Sequence, residues 1–111
     1  MLELTPKQME SLERLFIAGF RPIAIPPYEK ALCLYRGECV AILAPIENGT
    51  FKLLAPPTLL VSGNLSVRLK KGAAEVFVWK KNQLPATTER LESLALFRTE
   101  MEEILELTRQ Q

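Results

Sequence analysis

Between Phe20 and Leu84 the chain is a succession of short apolar runs that would be hydrophobic on both faces of the strands they form. The runs lie at 23–25, 31–35, 39–44, 51–54, 59–61, 65–69 and 76–79, with turn-forming residues between them. In the second run Leu32 and Leu34 alternate with Ala31, Cys33 and Tyr35. In the third, Cys39, Ala41 and Leu43 oppose Val40, Ile42 and Ala44. Successive side chains of a strand point to opposite faces, so such a sheet has two apolar faces and needs two covers. Only 65–69 alternates cleanly, with Ser66, Arg68 and Lys70 expected toward solvent. Helices supply one cover. The other is expected to be the sheet closing on itself as a small barrel, or a second chain.

Two helical patterns bracket this block. Thr5-Pro6-Lys7-Gln8 reads as a helix start, with Thr5 as cap, Pro6 at the first helical position and Gln8 completing a capping box. Met9, Leu12, Leu15 and Phe16 recur at helical spacing, and Gly19 followed by apolar Phe20 marks the end, so the first helix is expected over about 6–18. A second helix is expected from Thr87 or Thr88 to about Thr108, with Leu91, Leu94, Phe97, Met101, Ile104 and Leu105 as its apolar stripe. Strands bracketed by helices argue for an α+β fold in a single domain over 1–111. The expected architecture is an N-terminal helix, about six mostly antiparallel strands in one strongly curved or half-barrel sheet, and a long C-terminal amphipathic helix.

Asn48-Gly49 is the strongest turn signal and predicts a type I′ hairpin between the third and fourth runs, with Pro45 opposite Lys52 and a bulge or strand end there. Arg36-Gly37-Glu38 and Lys70-Lys71-Gly72-Ala73 read as two further tips. If the first holds a two-residue loop, Cys33 and Cys39 fall on opposite faces and cannot bond, whereas a three-residue loop puts them on the same face; in a cytosolic protein two packed, reduced thiols are the expectation.

Composition removes most chemistry. All 13 acidic residues are Glu, and the chain has neither Asp nor His. The commonest acid/base group near neutral pH is therefore missing, as are the imidazole ligands of most zinc sites and the carboxylates of Asp-based triads and calcium loops. The five glycines stand singly, so no phosphate-cradling loop occurs. The chain is expected not to be an enzyme, and to use no cofactor and no metal. Charges interrupt the first twenty residues, so no signal-peptide core is present there. The longest uncharged run, 53–67, is broken by prolines and is shorter than the roughly 20 residues of a membrane helix. A cytoplasmic protein without membrane insertion is the expectation.

The net charge of +1 conceals an asymmetry. Residues 21–81 hold nine Lys/Arg and four Glu, a net +5, while 82–111 carry −3 and 1–20 carry −1. Arg68, Lys70, Lys71, Lys80 and Lys81 cluster in one hairpin region and read either as a solvated hairpin edge whose lysines discourage aggregation or as a candidate anion-binding patch for a phospholipid headgroup or an acidic protein surface, with nucleic acid not expected. Tyr35, Phe51, Phe77 and Trp79 are the candidate lining of a ligand pocket in a half-closed barrel. Leu96 and Leu107, eleven residues apart on the charged side of the second helix, and Arg98, inside its apolar stripe, are candidate interface residues. The function expected from these features is a small interaction or adaptor module that forms a homodimer and takes a protein partner. The alternative is a half-barrel that binds a small molecule or anionic lipid.

Overall fold

The computed structural model of the protein describes residues 4–26, 28, 30–46 and 50–105. Helix α1 is Pro6–Ile17. The Gln8 N–H donates to Thr5 Oγ1 at 3.1 Å and the Thr5 N–H donates to Gln8 Oε1 at 2.8 Å, closing the capping box. At the other end Gly19 takes φ +98°, which lets its N–H reach Phe16 O at 3.1 Å and the Phe20 N–H reach Leu15 O at 3.0 Å. This pair of bonds is a Schellman stop, and it drops Phe20 into the core. The buried stripe differs from the expected one: Gln8, Ser11, Leu12 and Leu15 face inward, whereas Met9 and Phe16 are exposed. The reason is polar. The Gln8 amide donates to Ile46 O at 3.1 Å and Thr50 O at 2.8 Å, and this long-range anchor turns the helix.

Among the described residues nine strands follow: β1 (Arg21–Pro22), β2 (Leu32–Arg36), β3 (Cys39–Pro45), β4 (Phe51–Leu53), β5 (Thr58–Val61), β6 (Asn64–Leu65), β7 (Val67–Lys71), β8 (Ala74–Trp79) and β9 (Asn82–Pro85). Every pairing is antiparallel. The first six form one sheet in the order β1-β2-β3-β5-β6, with β4 also on β3, and the last three form a second sheet in the order β7-β8-β9. Helix α2, Thr88–Leu105, starts under a Thr87 cap, whose Oγ1 accepts the Arg90 N–H at 3.2 Å. The architecture is thus the α+β arrangement expected, with an N-terminal helix, a six-stranded antiparallel sheet and a C-terminal helix. No helix among the described residues is long and apolar enough to cross a membrane.

The main core lies between the sheets and the helices. Leu15, Phe20, Leu34, Leu43, Phe51, Leu59, Phe77, Phe97 and Met101 are fully buried there, and the whole expected stripe of α2 packs on it. A second cluster of Ile25, Cys33, Val40 and Ile42 occupies the opposite face of β2–β3. The two-faced reading therefore holds, and part of the second cover comes from the chain itself. Residues 23–25, expected as a strand, instead run irregularly over that face and bury Ile25, tied by the Ile23 N–H to Cys33 O at 3.0 Å.

Two register expectations divide. Arg36 pairs with Cys39 and Cys33 with Ile42, which is the two-residue loop that sends the cysteines to opposite faces, and both thiols are free and buried. On the far side of β3, Pro45 pairs with Phe51 and Ala44 with Lys52, one residue away from the type I′ register. Three residues, 47–49, then separate Ile46 from Thr50, whose backbones are joined at 3.0 Å. The Asn48-Gly49 turn itself lies outside the described residues. Strand β3 does end at Pro45.

Candidate interaction surface

The three-stranded sheet carries the basic cluster. Its register pairs Val67 with Val78, Arg68 with Phe77, Leu69 with Val76, Lys70 with Glu75 and Lys71 with Ala74, and on the other side Phe77 with Leu84 and Trp79 with Asn82. Paired residues share a face. The inward face therefore presents Arg68, Lys70, Glu75, Phe77, Trp79 and Leu84, with Phe77 fully buried in the main core. The outward face presents Val67, Leu69, Val76 and Val78, with Lys71 at one corner. Val67 is 60% exposed and Leu69 45% exposed, on a strand whose five residues are all exposed.

This reverses the expected orientation of 65–69. Ser66 is buried: its Oγ donates to Leu59 O at 2.7 Å and lies 3.1 Å from Thr58 Oγ1. That anchor keeps the Ser66 phase inward. Leu65 packs on the second cluster, whereas Val67 and Leu69, in the second sheet, belong to neither cluster and are exposed. Exposed valine and leucine here are thus an apolar face left open.

The five candidate anion-binding residues do not form one patch. Lys70 and Lys71 flank the β7–β8 turn, and Lys80 and Lys81 form the β8–β9 turn. The length of β8, about 17 Å at 3.3 Å per residue, separates the two pairs. Arg68 is occupied: its Nε and Nη2 donate to the two Glu75 oxygens at 2.9 and 3.1 Å, with the guanidinium 5.9 Å from the Phe77 ring centroid. Hydrogen bonding from Arg68 holds the Glu75 carboxyl below its ordinary range. Lys80, at φ +54°, stacks its ammonium 4.7 Å from the Trp79 ring centroid.

The four aromatic candidates do not converge on a cavity. Phe51 and Phe77 are core, Trp79 packs at the core margin, and Tyr35 lies on the opposite face with the second cluster. A cleft of about 410 Å³ lies between the β2–β3 tip and α2. Arg36, Arg90, Leu96 and Phe97 line it, so Leu96, 55% exposed, stands at its rim. Both arginines are already paired. Arg36 Nη1 donates to Glu100 at 2.7 Å and to Ala18 O at 3.2 Å, with its guanidinium 4.4 Å over Phe20, and Arg90 Nε donates to Glu38 at 3.3 Å. These contacts fasten α1, the β2–β3 hairpin and α2 together, a structural duty that sequence spacing does not signal. Arg98 projects to solvent and meets Glu102 one turn on at 3.5 Å, and Leu107 lies outside the described residues. Among the described residues no three Cys or Glu side chains gather as metal ligands.

No protein-family model, curated protein or solved structure matches this chain.

Proposed function

We propose that this chain is a protein-interaction module that self-associates through the outward face of β7–β8–β9. The observation that carries the reading is the open apolar ladder of Val67–Val78 and Leu69–Val76, with Val67 and Leu69 exposed. A twofold interface must be complementary to itself. This face suits that demand, since its centre is uncharged and Lys71 stands at a corner, so two copies meet with no like charges in the middle. Sheets pack face to face about 10 Å apart through such ladders.

Size sets the strength. Three strands of about five residues span roughly 14 by 17 Å, or about 240 Å² of face. That falls well short of the about 800 Å² per partner typical of stable complexes, so the dimer is weak and concentration-dependent. Sedimentation equilibrium from micromolar to millimolar protein tests it. The wild-type mass is expected to rise from one chain of 12.5 kDa toward two. Leu69→Asp, a change at an exposed position, is expected to remain at one chain with an unchanged circular dichroism spectrum. A wild-type mass that stays at one chain at millimolar concentration, or a dimer indifferent to Leu69→Asp, refutes the assignment.

A further inference from the structure

We propose that the free edge of β7 takes an extended acidic segment of a partner protein as a fourth strand, reading alternate acidic and apolar side chains. The inference goes beyond pairing through the sheet face and does not depend on it.

Among the described residues β8 alone pairs with β7. A two-residue loop, Gly72-Ala73, joins them, so the flanking pair Lys71–Ala74 exchanges backbone hydrogen bonds, and by alternation so do Leu69–Val76 and Val67–Val78. The phase of β8 agrees: the Glu75 carbonyl turns the other way, accepting the Ala86 N–H at 3.0 Å. The N–H and C=O groups of Arg68 and Lys70 consequently point away from β8. They offer four hydrogen bonds to one extended strand, on a segment whose every residue is exposed.

The side chains select what can use that edge. A second copy of β7, paired antiparallel about Leu69, would set Arg68 opposite Lys70 twice, and directly opposed like charges destabilise a sheet. An incoming strand with acids opposite Arg68 and Lys70 gains what the copy loses. Lys70 makes no ion pair among the described residues, and Glu75 occupies only Nε and Nη2 of Arg68. Across the whole sheet, residues 67–85 carry five Lys/Arg against the single Glu75, so the field also favours an acidic partner. On the other face the residues opposite Leu69 and Val67 extend the apolar ladder. The pattern read is therefore acidic-apolar-acidic-apolar, which is strand addition with specificity from alternate side chains.

The test uses the intact chain and the peptide acetyl-Thr-Glu-Val-Glu-Val-Thr-amide, followed by amide NMR shifts. Arg68 and Lys70 amides are expected to shift on titration. N-methylation of both peptide glutamates, whose N–H groups face β7, is expected to abolish binding, while N-methylation of both valines leaves it intact. Lys70→Gln, which removes the charge facing the incoming acid without setting a carboxylate opposite Glu75, is expected to weaken binding about twofold or more, as one attractive cross-strand pair is lost. The isomer acetyl-Thr-Glu-Glu-Val-Val-Thr-amide is expected to bind worse than the alternating peptide. Equal binding of the isomer or of the N-methyl-glutamate peptide overturns the proposal. So does a pair of amides that stays still with peptide but moves with phosphatidylserine vesicles or oligo-dT, since that result describes a general anion patch. Because the readout is local shifts and not mass, a monomeric protein that binds the peptide refutes only the dimer.

Discussion

Gln8 ties the first turn of α1 to the chain about forty residues on. Its side chain is 2% exposed and makes three hydrogen bonds: it accepts from the Thr5 N–H and donates to Ile46 O and Thr50 O. Gln8→Met keeps the length and apolar stem and removes all three. Loss of half the capping box costs about 0.5–1 kcal/mol. The two lost bonds to backbone carbonyls cost about 1 kcal/mol each, and more at Ile46 O if burial leaves it without a partner. The sum is about 2–4 kcal/mol. Thr50 O retains the Ile46 N–H, which keeps the estimate from rising further. With a urea slope near 1.2 kcal/mol/M for a chain of this size, the midpoint should fall by about 2–3 M.

Gln8→Glu separates the cap from the anchor. It keeps an acceptor for the Thr5 N–H but turns both donors into acceptors that face Ile46 O and Thr50 O. At pH 7 this variant is expected to be less stable than Gln8→Met. In acid, protonation restores one donor, so its deficit relative to wild type should shrink as pH falls. The assay is urea unfolding followed by Trp79 fluorescence and circular dichroism at pH 7 and pH 4.5. A Gln8→Met loss below about 0.5 kcal/mol, or a Gln8→Glu deficit that does not change with pH, refutes the account of Gln8 as the residue that orients α1.

Gly19→Ala places a Cβ at φ +98°, with Arg36 Cδ 3.4 Å away, and should cost about 1–2 kcal/mol, read as a melting temperature lower by several degrees. A melting curve unmoved by this change would remove the Schellman stop from the account. Burial pushes both the Cys33 and Cys39 thiols up from their ordinary value. Since the unfolded chain ionises them first, stability should be fully present below pH 9 and fall as pH rises through the folded values, less so in Cys33→Ala. Mild oxidation should yield no intramolecular bridge, and a faster-migrating species on a non-reducing gel would contradict the opposed placement.

What was legible in the sequence is what local chemistry decides. The capping box, the Gly19 stop and the α2 stripe involve residues within a turn or two of one another, and all stand where their spacing puts them. The β2–β3 tip allows a two- or a three-residue loop by sequence, and it is the observed pairing of Arg36 with Cys39 that separates the cysteines. Errors arise where a distant partner intervenes. The α1 stripe is turned by Gln8 reaching across to Ile46 and Thr50, and the phase of 65–69 is held by Ser66 bonding Leu59. Strand β9 is not signalled locally, because Asn82-Gln83-Leu84-Pro85 has weak strand preference, and it takes strand form in register with β8, where Leu84 faces Phe77.

The same distinction governs the surface. Composition locates the basic residues of the β7–β9 region, yet their meaning depends on which face they share. Had Ser66 pointed outward, Val67 and Leu69 would be core, and the lysines would be a solvated edge that guards against aggregation. With Ser66 inward, Arg68 stacks over Phe77 beside Glu75, and the apolar ladder is left open on the other side. One buried hydroxyl therefore sorts this hairpin into an apolar face and a charged face. An edge strand sorted in that way opposes edge-to-edge pairing with its own copy by charge, while its apolar face stays open.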